Sequence, residues 1–170
     1  MFKKSFAPII AVDPKILILG SLPGDRSLKE NEYYAHPQNR FWPTVTHILN
    51  ANPGLDYNQR IHLLQTNGIC LWDVCETAQR MGSMDTDILK ETPNDISCLL
   101  DKNLSIFAIL FNGKKAEQLF DRHQGRRKNI QYFTLPSTSP ANARCGKDQL
   151  IQAWGIISGL LRSDNSKSKN

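Results

Sequence analysis

The sequence lacks the long apolar runs and biased segments that would set it apart from ordinary globular proteins. No stretch of its 170 residues approaches the ~20 apolar residues that cross a bilayer, and no long apolar signal core follows the basic N-terminus. No internal repeat is visible. With 40% hydrophobic and 22% charged residues, the composition argues against a disordered chain, a coiled coil or a collagen-like repeat. We therefore expect a cytoplasmic protein without a membrane partner.

Common metal and nucleotide signatures are also absent. The four cysteines form no C-x-x-C pair, and the four histidines form no H-x-x-x-H or HExxH pattern. Four cysteines could ligate an iron–sulfur cluster. However, Cys70 and Cys98 lie in apolar runs, where a free cysteine behaves as a small core hydrophobe. We expect no metal and no other cofactor. The missing P-loop and G-x-G-x-x-G patterns disfavour nucleotide hydrolysis.

Positive charge is concentrated in the last third of the chain. The formal net charge is +5, but residues 1–113 carry 10 basic and 12 acidic side chains, whereas residues 114–170 carry 11 and 4. Arg122, Arg126, Arg127 and Lys128 form the densest cluster. Such asymmetry suggests a polyanionic partner, nucleic acid first and a membrane surface second. A solvated basic face explains the charge equally well.

Strand and helix patterns alternate along residues 1–162, which we expect to form one domain, followed by a polar, disordered tail over residues 163–170. Expected strands span residues 15–19, 68–74, 104–111 and 129–135, and expected helices span residues 39–49, 57–66, 95–100, 114–123 and 147–161. This alternation predicts an α/β fold with a mostly parallel sheet covered on both faces. Ligands of such sheets bind beyond the carboxyl ends of the strands. Three loops should meet there, at residues 20–24, 112–113 and 136–140.

Three segments carry a family resemblance. Residues 20–24 (GSLPG), 36–42 (HPQNRFW) and 135–143 (LPSTSPANA) resemble signatures of the uracil-DNA glycosylase superfamily, with the hypoxanthine-DNA (deoxyinosine) glycosylase branch as the closest match. The related mismatch-specific glycosylases have an asparagine in a G-x-N-P-G loop, which this chain lacks. The resemblance implies a three-layer α/β/α fold with a central, mostly parallel sheet. It also implies that the partner is DNA containing a deaminated base.

The resemblance assigns roles residue by residue. The catalytic role falls to Asn39, and Tyr34 would stack on the flipped base, although either tyrosine of the pair Tyr33-Tyr34 could simply pack in the core. Ser21 would contact the base or a water, or only hold its loop, and Asn112 would read the base edge or merely end a strand. Substrate-binding residues are Gly20, Ser21, Pro23, Gly24, Tyr34 and Asn112. DNA-binding residues are Ser137, Thr138, Ser139, Ala141, Asn142, Arg144 and Lys147.

The implied activity is hydrolysis of the N-glycosidic bond of a base flipped out of DNA, with hypoxanthine as the favoured base, at the start of base excision repair. Because no lysine stands in the first signature, the enzyme should be monofunctional, without a Schiff-base lyase step. Three alternatives remain open: a mismatch-specific uracil or thymine glycosylase, a non-catalytic DNA-binding module of the same fold, and an enzyme acting on free nucleosides. A monomer is the default expectation.

Overall fold

The structure is a computed structural model that describes residues 2–167. Its strands are β1 (Phe2–Lys4), β2 (Ile16–Gly20), β3 (Ile69–Asp73), β4 (Cys75–Gln79), β5 (Leu89–Pro93), β6 (Ala108–Asn112) and β7 (Gln131–Leu135). Its α-helices are α1 (Asp25–Glu30), α2 (Phe41–Ile48), α3 (Tyr57–Thr66), α4 (Ile96–Lys102), α5 (Lys114–His123), α6 (Lys147–Trp154) and α7 (Ile156–Lys167). No helix within residues 2–167 is long and apolar enough to cross a membrane.

The central sheet has four parallel strands in the order β3-β2-β6-β7. Its middle strands, β2 and β6, are buried along their whole length, as expected for parallel strands covered on both faces. Leu17 and Leu19 face a core closed by α4 and α5, whereas Ile16 and Ile18 face a core closed by α2, α3, α6 and α7. The expected three-layer α/β/α fold is therefore confirmed.

A second, antiparallel sheet with the order β1-β4-β5 was not expected from the sequence. The segments CETAQ and LKETP are too polar to give a strand pattern, and β4 pairs with β5 through register shifts. This sheet lies beside the first loop. After β4, residues 80–88 take the chain to the edge at which the strands of the main sheet end.

Several helix boundaries differ from the expectation. The short helix α1 lies within residues 20–38, which were expected to be a loop, and the expected helix 147–161 is divided at Gly155 into α6 and α7. Helix α7 continues to Lys167, so residues 163–167 of the expected tail are helical, and residues 168–170 lie outside the described part of the chain. Helices α3 and α5 have the expected bounds.

Candidate active site

A cavity of about 130 Å³ lies at the carboxyl edge of the parallel strands, where the three loops meet. A protein cavity of about 150 Å³ can hold benzene, so this volume suits one flat ring system. The cavity is lined by all the residues expected to bind substrate, by Asn39 and by the first three of the expected DNA-binding set: Gly20, Ser21, Pro23, Gly24, Tyr34, Asn39, Asn112, Ser137, Thr138 and Ser139. The structure thus gathers residues that are far apart in sequence.

A larger groove of about 790 Å³ adjoins the cavity, and the two share Ser83, Asp85, Ser137 and Ser139. The groove is lined on one side by residues 83–86 and on the other by the loop that contains Ala141, Asn142 and Arg144. Lys147 is the exposed first residue of α6 and lines neither space. Three of the remaining DNA-binding candidates therefore lie in the groove rather than at the cavity.

Asn39 is held at the cavity by its side-chain oxygen. Its Oδ1 accepts hydrogen bonds from the backbone N–H of Phe41 at 2.9 Å and from the hydroxyl of Thr138 at 3.0 Å. Asn112 is buried and bonds Thr138 twice: its Nδ2 donates to Thr138 Oγ1, and its Oδ1 accepts from the Thr138 N–H, both at 2.9 Å. The Asn39 Nδ2 group has no acceptor among the described residues. It is therefore the part of Asn39 available to a ligand.

The two adjacent tyrosines have different roles. Tyr33 is 3% exposed and its hydroxyl donates to the Ala7 carbonyl, so it is a core residue. Tyr34 lines the cavity, and its ring stacks on Phe41 with centroids 4.1 Å apart. Its φ of 55° is unfavourable for a bulky side chain, which indicates that the surrounding packing holds it there. The buried Tyr34 hydroxyl lacks a well-aligned hydrogen bond among the described residues, and burial raises its pKa.

Asp73, the last residue of β3, is a cavity residue that the sequence analysis missed. It pairs in register with Gly20, and a Cβ on Gly20 would stand 2.6 Å from Asp73 Oδ1 and 2.9 Å from the Tyr34 hydroxyl. Asp73 Oδ2 accepts a hydrogen bond from Ser5 Oγ at 3.0 Å. Burial raises the pKa of the Asp73 carboxyl to about 7, although the hydrogen bond from Ser5 lowers it, and Asp85 adds a smaller increase. Its position at a strand end was visible in the sequence.

The buried Arg80 side chain holds the first loop, residues 20–24, in place. Arg80 donates hydrogen bonds to the backbone carbonyls of Leu22 and Pro23 and pairs with Asp85 Oδ1 at 3.4 Å. The hydroxyl of Ser21 donates to the same Asp85 oxygen at 2.6 Å. Burial lowers the pKa of Arg80 and raises that of Asp85. Ser21 therefore contributes to holding the loop in this structure, and its contact with the base or a water stays a prediction.

Arg40 holds residues 137–145, the second loop of the site, in place. Its guanidinium donates to the backbone carbonyls of Ser139, Asn142 and Cys145, and its backbone N–H donates to the Thr138 carbonyl at 3.0 Å. One side chain next to Asn39 thus closes a turn that is about a hundred residues away in sequence. No pattern in the sequence reveals this contact, because its acceptors are backbone carbonyls.

The densest basic cluster does not lie at the site. Arg126 and Arg127 belong to the connection between α5 and β7, which returns the chain to the opposite edge of the sheet. Arg126 pairs with Glu117 and Asp121, and Arg127 pairs with Asp101. Asp121 and Glu117 raise the pKa of Arg126, whose guanidinium also lies 4.9 Å from the centre of the Tyr132 ring. This position fits a solvated basic face, the alternative that the charge pattern left open, better than a contact with a polyanionic partner.

The fold and the site define a three-layer α/β protein with a ring-sized cavity at the carboxyl edge of its parallel strands. The family model of the uracil DNA glycosylase superfamily matches residues 7–156, and the chain belongs to that superfamily. It is 42% identical over 152 residues to a hypoxanthine DNA glycosylase of Methanosarcina barkeri and 37% identical over 152 residues to one of Methanosarcina acetivorans. Each alignment covers 88% of this chain and 94% of the relative.

A solved structure gives the same result. The solution NMR structure of a candidate uracil DNA glycosylase from Methanosarcina acetivorans matches with a TM-score of 0.79 at 35% sequence identity. The match covers 94% of this chain and 99% of that one. The likeness therefore extends over the whole domain and is not limited to the three short signatures.

Proposed function

We propose that this protein is a monofunctional DNA glycosylase that hydrolyses the N-glycosidic bond of hypoxanthine flipped out of DNA. The observation that supports this best is a ring-sized cavity in which Asn39, Asp73 and Tyr34 meet, next to an open groove. Water adds to C1′ of the sugar and loses a proton, and the base leaves with the electron pair of the broken C–N bond and then takes up a proton. Groups that donate hydrogen bonds to the departing base lower the barrier, because negative charge develops on it.

Tyr34 provides a surface for the base. Phe41 covers one face of its ring, and the ring also borders the cavity. A base stacked on the remaining face would gain about 1–3 kcal/mol, with little dependence on which base it is. Stacking therefore contributes to holding the flipped base, and the discrimination between bases needs a hydrogen-bonding group.

Asp73 is that group in our proposal. Ser5 Oγ lies 3.0 Å from Asp73 Oδ2, closer than the 3.4 Å to the Phe6 carbonyl, so we place the proton of the neutral acid on Oδ1, towards the cavity. Deamination replaces the amino group of adenine, a donor, with the carbonyl of hypoxanthine, an acceptor. A protonated Asp73 donates to the carbonyl, whereas an ionised one favours the amino group. The fraction of Asp73 that burial keeps protonated near pH 7 thus favours the deaminated base.

The adjoining groove is our proposed path for the DNA strand on either side of the flipped nucleotide. Its walls offer hydroxyl and amide groups and the exposed cation of Arg144, with Lys147 close by in sequence. Phosphate oxygens accept hydrogen bonds from such groups without regard to sequence. Pro140, Ala141 and Asn142, at the tip of this loop, are all smaller than leucine, so opening of the duplex does not depend on a large apolar wedge there.

The test is release of free base from synthetic duplexes that carry hypoxanthine, uracil, xanthine or a thymine–guanine mismatch at one position. We expect hypoxanthine to be released fastest and undamaged adenine not at all. Equal or faster release of uracil or mismatched thymine would instead support a mismatch-specific glycosylase. Binding without release of any base would support a non-catalytic module, and release from free deoxyinosine alone would support a nucleoside hydrolase.

A further inference from the structure

The amide of Asn39 has only one orientation that satisfies its neighbours. The backbone N–H of Phe41 can only donate, and it lies 2.9 Å from one terminal atom of the Asn39 side chain. That atom must be the oxygen. The Nδ2 group, with its two N–H donors, is then left on the side without a described partner and towards the cavity that Asn39 lines.

A second chain of hydrogen bonds leads to the same orientation from the other end. The backbone N–H of Thr138 donates to Asn112, which identifies that atom as Oδ1 and turns Asn112 Nδ2 towards Thr138 Oγ1. The Thr138 hydroxyl therefore accepts from Asn112, and its single proton is free to donate to Asn39 Oδ1 at 3.0 Å. The direction of every bond is thus set by a backbone N–H at each end.

We propose that Asn112 and Thr138 are positioning residues that fix the Asn39 amide with its NH₂ group directed at the flipped base. This inference rests on the proposed function. Asn39 Oδ1 is occupied by two donors, so Asn39 acts on the reaction as a hydrogen-bond donor to the departing base and not as an acceptor that orients the attacking water. Asn112, in turn, acts on Asn39 through Thr138.

Substitutions at Thr138 separate this arrangement from simple packing. Thr138→Val has nearly the same shape without the hydroxyl, and Thr138→Ser keeps the hydroxyl while losing a methyl group. With hypoxanthine DNA under single-turnover conditions, we expect Thr138→Val to slow base release roughly tenfold or more, since loss of one direct donor in such sites costs about 10²–10³-fold. Thr138→Ser should stay within about threefold of the wild type. Thr66→Val, at the opposite edge of the sheet, is the matched control and should leave the rate unchanged.

A double-mutant cycle tests whether Thr138 acts through Asn39. If it does, Asn39→Ala combined with Thr138→Val should be no slower than Asn39→Ala alone, because residues that act as a unit are not additive. Full multiplication of the two losses would overturn the proposal, as would wild-type activity of Thr138→Val. Equal losses in the Val and Ser variants, accompanied by a lower melting temperature, would show a packing role and would also overturn it.

The orientation can also be measured without any activity, which separates this inference from the proposed function. In NMR spectra of the free protein, the side-chain NH₂ protons of Asn112 should exchange slowly with water, and those of Asn39 should exchange rapidly. The reverse pattern would overturn the proposed orientation of Asn39 even if hypoxanthine is released. If the wild type shows the expected exchange but releases no base, the proposed function is contradicted and the proposed orientation of Asn39 is supported.

Discussion

At the scale of single residues, Asp73 is the group whose ionisation we expect to control the reaction. With a pKa of about 7, it is neutral in acid and ionised in alkali, and only the neutral form donates to a base carbonyl. Release of hypoxanthine should therefore fall as the pH rises through about 7. Single-turnover rates measured on both sides of this value test the prediction, and a rate that rises over the same interval would contradict it.

The variant Asp73→Asn provides the matched control. The Ser5 hydroxyl would donate to the amide oxygen and leave the NH₂ group towards the cavity, so this variant should remain active and lose the pH dependence. Asp73→Leu should be inactive. Since burial raises its pKa in the folded state, the contribution of Asp73 to stability is complete below the unfolded pKa near 3.9 and is lost as the pH rises through about 7. Above pH 7, Asp73→Asn should therefore melt several degrees higher than the wild type, at roughly 2–4 °C for each kcal/mol.

The same residue shows why part of the site was missed from the sequence. Asn39 was found because it lies in a signature segment, whereas Asp73 lies in GICLWDV, which was read only as a buried strand. Its importance depends on register: β3 pairs with β2 so that Asp73 lies opposite Gly20. Only a residue without a side chain allows the carboxyl and the Tyr34 hydroxyl to approach that point. Pairing between strands fifty residues apart is not visible in either segment alone.

At the scale of elements, the two loops of the site are held in place by arginine side chains from neighbouring segments, the half-buried Arg40 and the buried Arg80. Arg40 donates to three carbonyls of the second loop, and Arg80 donates to two carbonyls of the first. Loops made of glycine, proline and serine have few apolar side chains to bury. Their conformation therefore depends on hydrogen bonds to their backbone, and each arginine satisfies several acceptors at once.

Removing the Arg40 side chain should loosen the second loop. We expect Arg40→Ala to increase hydrogen exchange at backbone amides within residues 137–145 and to weaken DNA binding by roughly tenfold, which corresponds to about 1.4 kcal/mol. Arg40→Lys should not restore either property, because one ammonium group cannot bond three separate carbonyls. Rescue by lysine would indicate that Arg40 contributes only its charge. The exposed Arg162→Ala is the control and should change neither measurement.

Elements that have a strong internal pattern could be predicted from the sequence, and those that depend on neighbours could not. The bounds of α3 were correct because Asp56 and Gln59 form a capping box at its start and Asn67-Gly68 follow its end. The strands β4 and β5 were missed because they bear polar side chains and are stabilised by pairing with each other. Gly155 divides the last expected helix, although the apolar pattern continues on both sides of it.

At the scale of the whole molecule, charge asymmetry indicated a polyanionic partner but not the face that binds it. Residues 114–170 contain all of the excess positive charge, yet they form both the loop beside the groove and the connection on the opposite edge. Within that region, Arg126 and Arg127 are paired with carboxylates, whereas Arg144 lines the groove. The distinction requires the fold, because a sequence count treats paired and unpaired cations alike.

Two double charge reversals separate these faces. Arg144→Glu with Lys147→Glu, and Arg126→Glu with Arg127→Glu, change the net charge by the same amount. The test is to measure Kd against salt concentration for a duplex carrying 2′-fluorodeoxyinosine, which resists hydrolysis.

The first pair should weaken binding and reduce the slope of log Kd against log salt by about 1.8, since each phosphate contact contributes about 0.9. The second pair should leave the slope unchanged and lower the melting temperature, because it places new carboxylates beside Glu117, Asp121 and Asp101. The opposite assignment of slope and stability would mean that DNA lies across the α5–β7 connection and not along the groove beside the cavity.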